Sequence, residues 1–358
     1  MNKKIILLLK MFTLSIGLIA VCVLLSKKIN SSQVDDGSGS ITRYDFAMGT
    51  SISVNLYDRD SDVSRLADMI FADIKSLDNT ISWRSADSEL GQMNQNYVAS
   101  VPYQVDDILY TAVSQSLEIC RDSDGALDIT IRPLADTWNI ETADADSFEV
   151  PDENEIRESL KYVDYRKIAV DGQNFDEELY ITIYGEDMVI DLGAVGKGYA
   201  LDCAKYILTD EDVDGAAISV GGSIMIYGSK ADKSNWKVGI RNPEGDIDDM
   251  IGYLEFPPGT VTCISTSGDY EKFFEVDGIR YHHILDSSTG YPSASGLSGV
   301  TVVCENGLVS DALSTACFIL GYERSLPLLE KYNAEAVFID SDNKIIVTDG
   351  LKSLFSEQ

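Results

Sequence analysis

The sequence predicts an α+β fold, organised as a single large two-lobed domain behind an N-terminal membrane anchor or signal segment. Three observations support this prediction. Hydrophobic residues make up 44% and charged residues 24% of the 358-residue chain, which is ordinary for a globular protein. Short runs with strand-like alternation are interspersed with runs of helical spacing. After residue 40 there is no repeat and no second Gly/Ser-rich linker, so no stretch indicates an independent domain.

The first 29 residues are predicted to be a signal peptide or a membrane anchor. Apolar residues run from position 5 to position 25 between lysines, and Lys10 interrupts them. The 15 residues after Lys10 suit a signal-peptide core, whereas the full run of 21 residues spans a bilayer if the Lys10 stem reaches the interface. Cys22 follows a loose lipoprotein cleavage box, so a lipidated and a non-lipidated anchor both stay open. In either case we expect the catalytic part to lie outside the cytoplasm, tethered to the cell membrane.

Residues 30–40 (NSSQVDDGSGS) are predicted to be a flexible linker, and residues 41–358 to form the folded domain. Strand 51–57 alternates polar and apolar residues, and helices 63–77 and 106–120 place apolar residues at helical spacing. The acidic stretch 141–160 is expected to be a surface excursion that leads to a short helix. The remaining predicted elements are strands 167–170, 179–184 and 188–190, helix 198–208, strands 216–220, 224–227, 236–240 and 299–304, helix 310–320 and strand 336–339.

The charge of the chain excludes a nucleic acid as its main partner. Twenty-eight basic and 59 acidic residues give a net charge of −31, and removing the five lysines of the first 29 residues leaves −36. So acidic a surface repels a phosphate backbone, although it excludes neither a single anionic ligand in a local pocket nor a divalent metal. The six cysteines form no CxxC pair, which favours buried free thiols over a disulfide framework or a zinc site.

The segment DLGAVGKGY at 191–199 is the first candidate for ligand binding. It follows a predicted strand and enters a helix, with three glycines and Lys197 at the turn. Backbone N–H groups at a helix start favour anions, and a lysine adds a point charge for a phosphate. The segment matches neither the Walker nor the dinucleotide-binding pattern. Phosphate binding and a turn whose glycines only permit close packing therefore both remain open, and the glycines at 219–223 are most simply a tight turn.

Two further clusters carry residues suited to proton transfer or metal binding. The only two histidines of the chain lie among hydroxyls and carboxylates in segment 281–292, which follows the similar segment 265–270. A histidine near a carboxylate suits a general base. A pair of strands joined by a polar turn would explain the same residues equally well. The segment offers too few ligands for a zinc site. Asp311 and Thr315, at i and i+4, would share one helix face. Their oxygens suit Mg²⁺ beside substrate phosphates, and an N-terminal cap on a buried helix is the alternative.

Taken together, these segments resemble the FAD:protein FMN transferase (ApbE) family. The resemblance covers roughly residues 44–345, and its specificity lies in nine blocks that follow the family's order. The blocks are Met48-Gly49-Thr50; Ser82-Trp83 with Ser88-Glu89-Leu90 and Asn94; 125–130 with Pro133-Leu134 and Trp138; 191–199; Val220-Gly221-Gly222; 239–243; 266–270; 282–292; and 310–321.

The resemblance implies an ApbE-like, T-fold-related domain. Such a domain binds FAD, splits its pyrophosphate with Mg²⁺ assistance, and passes FMN through a phosphoester to a Thr or Ser of an acceptor protein, releasing AMP. By matching position, the resemblance assigns FAD contacts to Met48, Trp83, Ala126, Leu127, Asp128, Asp191, Lys197 and Leu285. It assigns metal ligands to Ala194 (through its carbonyl), Asp311, Ser314 and Thr315, and activation of the acceptor hydroxyl to His283.

The chemistry of these residues agrees with that assignment. Phosphoryl transfer needs charge neutralisation and alignment more than covalent help, and Mg²⁺ with Lys197 would offset the pyrophosphate charge inside an acidic body. A neutral His283 could take the acceptor's proton near neutral pH. The chain departs from the family at Ser223, where Asp is frequent, and at Ser287-Ser288, where Pro is frequent. We expect both departures to lie beside the site.

Two alternative functions stay open at this point. The first is an FAD pyrophosphatase that uses the same metal site and releases FMN and AMP. The second is a non-catalytic FAD-binding lipoprotein. For a transferase at this location, the expected partner is an acceptor flavoprotein of an exported or membrane electron-transfer chain.

Overall fold

A computed structural model describes residues 40–58, 62–143, 148–172, 178–246 and 248–358. The predicted signal peptide or anchor at 1–29 lies outside the described residues, as does the predicted linker up to residue 39. Ser40, the last residue of that predicted linker, belongs to the first strand and pairs with Tyr57. In the described part of the chain, no helix is both long and apolar enough to cross a membrane.

The centre of the fold is an eight-stranded sheet in which every neighbouring pair is antiparallel. In spatial order its strands are β1 (Ser40–Ala47), β2 (Thr50–Tyr57), β6 (Gly215–Val220), β7 (Ser223–Gly228), β10 (Thr262–Gly268), β15 (Leu297–Cys304), β16 (Glu335–Asp340) and β17 (Ile345–Val347).

The two faces of this sheet are covered differently. Neighbouring residues of one strand enter different cores, as Cys263 and Ile264 do in β10, because side chains alternate across a sheet. One core packs against the helices α1 (Val63–Ile81), α6 (Gly196–Asp210), α7 (Gly307–Leu320) and α8 (Tyr322–Lys331). The other packs against a three-stranded sheet of β8 (Trp236–Arg241), β9 (Met250–Phe256) and β18 (Phe355–Glu357).

A smaller core forms where Trp138 is buried with Leu134, Ile156 and Leu285. The Trp138 indole N–H donates to the carbonyl of Gly290 at 2.7 Å, which ties this region to the hairpin that follows the histidines. The remaining helices are α2 (Glu89–Asn96), α3 (Asp107–Asp122), α4 (Arg132–Trp138) and α5 (Glu153–Ser159). The remaining strands are β3 (Tyr103–Val105), β4 (Ile168–Asp171) and β5 (Leu179–Ile183), which form a second three-stranded sheet, and the hairpins β11 (Phe273–Val276) with β12 (Ile279–His282) and β13 (Leu285–Asp286) with β14 (Tyr291–Pro292).

These elements confirm the α+β class, and the four long predicted helices are present with bounds that differ by up to four residues. The predicted strand 188–190 is wrong, because side chains rather than a neighbouring strand bond its backbone. Asn94 donates to the Ile190 carbonyl at 2.9 Å and accepts from the Ile190 N–H at 3.0 Å, while the Tyr97 hydroxyl accepts from Met188 N–H. An irregular segment with satisfied polar groups therefore leads into residues 191–195.

The cysteines of the described residues confirm the prediction of free thiols. All five are unpaired, and four of them are buried. Burial raises the pKa of the Cys304 and Cys317 thiols to about 12, so they stay protonated and unreactive.

Candidate active site

A cavity of about 440 Å³ opens at the end of the central sheet where the β1–β2 turn, the β6–β7 turn and the end of β10 meet. The starts of α6 and α7 close its other sides. Twelve of the thirteen predicted site residues line it: Met48, Trp83, Ala126, Leu127, Asp128, Asp191, Ala194, Lys197, His283, Leu285, Asp311 and Thr315. Ser314 is the exception, because it is fully buried one layer behind the wall.

The start of α6 presents a cation to the cavity. Lys197 reaches back over the turn, with Nζ 3.2 Å from the carbonyl oxygen of Gly193 and 3.9 Å from Oδ2 of Asp311. The turn itself is held by Asp191, whose Oδ1 accepts from the Gly193 N–H at 2.7 Å. The lysine of the predicted anion-binding turn thus stands at the cavity wall beside a carboxylate.

Asp311 is a buried carboxylate held by two donors from other elements. Its Oδ2 accepts from the Gly198 N–H at 2.9 Å, and its Oδ1 accepts from the Ser223 hydroxyl at 3.1 Å. Ser223 therefore contacts a predicted metal ligand but does not itself line the cavity, which agrees with the expectation that this position lies beside the site. Ser287 instead bonds the carbonyl of Gly125 and does not line the cavity.

A row of hydroxyls lies next to Asp311 at the end of β10. The Ser267 hydroxyl is 2.7 Å from that of Ser314 and 3.2 Å from that of Thr315. Ser267 and Thr315 line the cavity, whereas Ser314 reaches it only through Ser267 and also donates to the Asp311 carbonyl. The sequence analysis quoted Ser267 within a motif but assigned it no role.

The two histidines occupy different environments. His282 is buried, its Nε2 donates to the Ser293 carbonyl at 3.0 Å, and its Nδ1 accepts from the Ile284 N–H at 3.3 Å. His283 lines the cavity, and its Nδ1 lies 3.3 Å from the Lys272 carbonyl. A carbonyl only accepts, so Nδ1 of His283 carries the hydrogen and the neutral ring keeps its lone pair on Nε2. Burial, followed by the Lys272 ammonium, lowers the pKa of His283 to about 4, so the neutral form dominates at neutral pH.

Arg132 is a buried cation that the sequence analysis did not single out. Its guanidinium carbon lies 3.9 Å from the centre of the Trp83 ring, and that of Arg84 lies 4.3 Å from the same centre. Arg132 also lies 3.2 Å from Glu141 and 3.6 Å from Asp191. These contacts fix the position of the Trp83 ring at the cavity wall. Its i+4 neighbour Asp136 indicates only an ion pair within a helix, whereas the partners that place Arg132 at the cavity, Trp83 and Asp191, lie far away in the sequence.

Two buried carboxylates of the wall differ in how they are satisfied. Burial raises the pKa of Asp191, against the opposing effect of the Gly193 N–H and of Arg132. Burial likewise raises the pKa of Asp128, whose carboxylate accepts from the N–H and hydroxyl of Thr130 and from the Tyr165 N–H. Asp128 therefore braces the segment 128–130 against residues 164–165 in addition to lining the cavity.

Comparison with known proteins agrees with this fold and cavity. The model of the ApbE family matches residues 48–338. An FAD:protein FMN transferase of Treponema pallidum is 31% identical over 87% of this chain and 87% of its own, and one of Klebsiella pneumoniae is 30% identical over 86% and 92%. Among solved structures, the ApbE protein of Thermotoga maritima superposes with a TM-score of 0.78 at 32% identity, covering 88% of this chain and 99% of that one. The apo form of the Pseudomonas stutzeri flavinyl transferase ApbE gives 0.74 at 25% identity, over 88% and 96%.

By the relatives that it matches, the chain is an enzyme of the transferase class, and its fold and cavity agree with that class. The chain belongs to the ApbE family.

Proposed function

We propose that this chain transfers FMN from FAD to a Thr or Ser hydroxyl of an acceptor flavoprotein, forming a phosphoester and releasing AMP. The observation that carries the proposal is that Lys197, Asp311 and a neutral His283 line one cavity. The names of the relatives support the same reaction, since they are FAD:protein FMN transferases.

The cavity offers separate surfaces for the charged and the aromatic parts of FAD. Lys197 and the backbone at the start of α6 suit the pyrophosphate, because a helix N-terminus and an ammonium both favour an anion. The fixed ring of Trp83, with Met48 and Leu285, supplies flat apolar wall for a ring system.

The residues around Asp311 fit a Mg²⁺ ion by their chemistry. A buried carboxylate, the hydroxyls of Ser267 and Thr315 and the carbonyl of Ala194 are hard oxygen donors. Among the described residues, no group of three or more His, Cys, Asp or Glu side chains is arranged to hold a metal ion. When bound, Mg²⁺ would neutralise charge on the pyrophosphate and on the departing phosphate.

His283 would act on the acceptor hydroxyl. Its Nε2 takes the proton as the hydroxyl oxygen bonds to the phosphorus on the FMN side of the pyrophosphate. The bond between that phosphorus and the bridging oxygen breaks, and the bridging oxygen leaves with AMP. The Lys272 carbonyl keeps Nδ1 protonated, so only Nε2 is free to accept.

The test uses the purified full chain with FAD, Mg²⁺ and an acceptor flavoprotein domain, and measures the acceptor mass and the AMP released. We expect one FMN per acceptor and one AMP per FMN, loss of the adduct with EDTA, and recovery when Mg²⁺ is restored. His283→Ala should lower the rate by about 10²-fold or more. The exposed Tyr206→Ala on α6 is the control and should match the parent.

The two alternative functions predict different products in the same experiment. Free FMN and AMP without any acceptor would favour an FAD pyrophosphatase. Tight FAD binding without Mg²⁺-dependent turnover would favour a non-catalytic FAD-binding lipoprotein. Either result in place of the acceptor adduct contradicts the proposal.

We further propose that the reaction takes place outside the cytoplasm, at the cell membrane, on an acceptor from an exported or membrane electron-transfer chain. The support is the lysine-flanked apolar run at 5–25 and the cysteine at its end. Protease digestion of intact cells or spheroplasts should degrade the protein, and a protein that stays protected until lysis would contradict this location.

A further inference from the structure

We propose that Glu141 and Lys272 form a positioning pair that fixes the orientation and the charge environment of His283. The inference deepens the proposed function, on which it rests for the role of His283. It concerns two residues that both line the cavity and whose side chains meet there.

The first contact is made by the backbone of Lys272. The Lys272 carbonyl accepts from the His283 N–H at 3.1 Å and lies 3.3 Å from the His283 Nδ1. Strands β11 and β12 bring the two residues together, because Phe273 pairs with His282 across the hairpin. The ring of His283 therefore takes its orientation from the residue directly before β11.

The second contact is made by the Lys272 side chain. Its Nζ lies 3.5 Å from Oε1 of Glu141, while Oε2 of Glu141 accepts from Arg84 at 2.8 Å and from Arg132 at 3.2 Å. Glu141 is thus anchored by two guanidiniums and offers its second oxygen to Lys272. The anchored carboxylate holds the end of a flexible, 47% exposed side chain near the ring of His283.

The side chains of Lys272 and Glu141 change the pKa of His283 in opposite directions. A nearby ammonium disfavours the imidazolium, and a nearby carboxylate favours it. Burial and Lys272 lower the pKa of His283, Glu141 and the Lys272 carbonyl raise it, and His282 contributes a further lowering. An exposed ion pair at 3.5 Å adds little to folding stability, so its effect should appear in proton affinity instead.

The test is a proton titration of His283 by NMR in the full, untagged chain without FAD. The chain has only two histidines, so ¹³C labelling at Cε1 gives two signals, and the signal absent from H283Q is that of His283. From about pH 8 to about pH 3, a range that extends below the pKa of about 4 of the parent, we expect Lys272→Met to raise the pKa of His283 by roughly one pH unit and Glu141→Gln to lower it. Lys237→Met is the matched control, because Lys237 pairs with Glu255 at 3.8 Å on the β8–β9 sheet and should leave the titration unchanged.

The acid limb of the pH–rate profile for FMN transfer should follow the pKa of His283, moving to higher pH in Lys272→Met and to lower pH in Glu141→Gln. Glu141→Gln should also lower kcat more than it changes KM for the acceptor. The proposal of a positioning pair is overturned if the pKa of His283 shifts in the same direction in both variants or is unchanged in both. If the pKa of His283 shifts in opposite directions in the two variants but the parent chain forms no FMN adduct on the acceptor, the positioning pair is supported and the proposed function is overturned. If Glu141 and Lys272 had a purely structural role, both variants would change thermal stability and the pKa of His283 would stay unchanged.

Discussion

At the scale of single residues, hydrogen bonds give two adjacent histidines different tasks. Both ring nitrogens of His282 are used inside the protein, and its ring packs edge-on against Phe318. His283 lines the cavity and, within the described residues, its ring uses only Nδ1 in a hydrogen bond to the protein. Identical side chains thus serve stability at one position and, in the proposed reaction, proton transfer at the next.

This difference predicts separate effects on stability and activity. His282→Ala should lower the free energy of unfolding by about 2–4 kcal/mol at pH 7, because it leaves a cavity and unpaired groups. His283→Ala should change it by less than about 1 kcal/mol and remove transfer. Chemical denaturation and the acceptor mass measure the two effects.

The stability difference for His282 should also depend on pH. Burial lowers the pKa of His282, so the native state favours the neutral ring. The stabilisation that comes from the neutral His282 ring is fully present above pH 6.5, the ordinary pKa of a histidine. It is lost as the pH falls toward the pKa of His282 in the folded state. The gap between the parent and His282→Ala should therefore narrow from about pH 7 to about pH 5, and a gap that widens over this range would contradict the neutral assignment.

The residues of the site could be predicted from the sequence only where they belong to a compact motif. Lys197 and Asp311 stand in dense local blocks, and the structure places both at the cavity. Glu141 and Lys272 stand outside these blocks and meet only in the folded chain, whereas Arg132 lies within the third block but reaches the site through the distant residues Trp83 and Asp191. Ser314 was assigned from its position in a block, although its hydroxyl faces Ser267 rather than the cavity.

At the scale of elements, the site depends on the close crossing of α6 and α7. A Cβ atom added to Gly198 would lie 2.0 Å from the Gly307 carbonyl oxygen and 2.7 Å from Cβ of Asp311. The absence of a side chain at Gly198 lets its N–H reach the Asp311 carboxylate. Gly198 thus serves close packing, as one of the two interpretations of the 191–199 block predicts, and phosphate binding at this turn stays a prediction.

Gly198→Ala should therefore damage both the fold and the site. We expect a loss of about 2–4 kcal/mol in the free energy of unfolding, because backbone atoms cannot move aside as a flexible side chain would. We also expect a fall in kcat for transfer, because the added methyl group displaces Asp311. Urea denaturation and the rate of AMP release measure the two quantities, with Tyr206→Ala on the exposed face of α6 as the control. An active Gly198→Ala protein of parental stability would show that this crossing is not needed.

The elements that the sequence analysis missed are mainly edge strands and short hairpins. Strand β1 alternates half-buried and exposed residues such as Tyr44 and Phe46, which gives it a weak apolar period. The hairpin β11–β12 is largely exposed, so its pairing leaves little hydrophobic pattern. The four long helices are predictable because their buried faces repeat with helical spacing over several turns, whereas the shorter α2, α4 and α8 are absent from the prediction.

At the scale of the whole molecule, a strongly negative chain surrounds a cavity whose wall carries four cations among six carboxylates. Lys197, at the start of α6, offers a local positive charge to an anionic substrate at short range. A protein acceptor, by contrast, meets the net charge of −31 before it reaches the cavity. Association with the acceptor should therefore respond to salt according to the acceptor's own charge.

For an acidic acceptor at saturating FAD and Mg²⁺, we expect kcat/KM to rise about 3- to 10-fold between roughly 10 and 150 mM NaCl, with kcat unchanged. The Debye length falls from about 30 Å to about 8 Å over this range, so the repulsion between the two proteins is screened while contacts inside the cavity change little. A version of the same acceptor with surface acids replaced by lysines is the matched control and should show the reverse dependence. If both acceptors respond in the same direction, salt acts on FAD binding or on His283 rather than on the encounter, and the acidic surface has no part in the choice of acceptor.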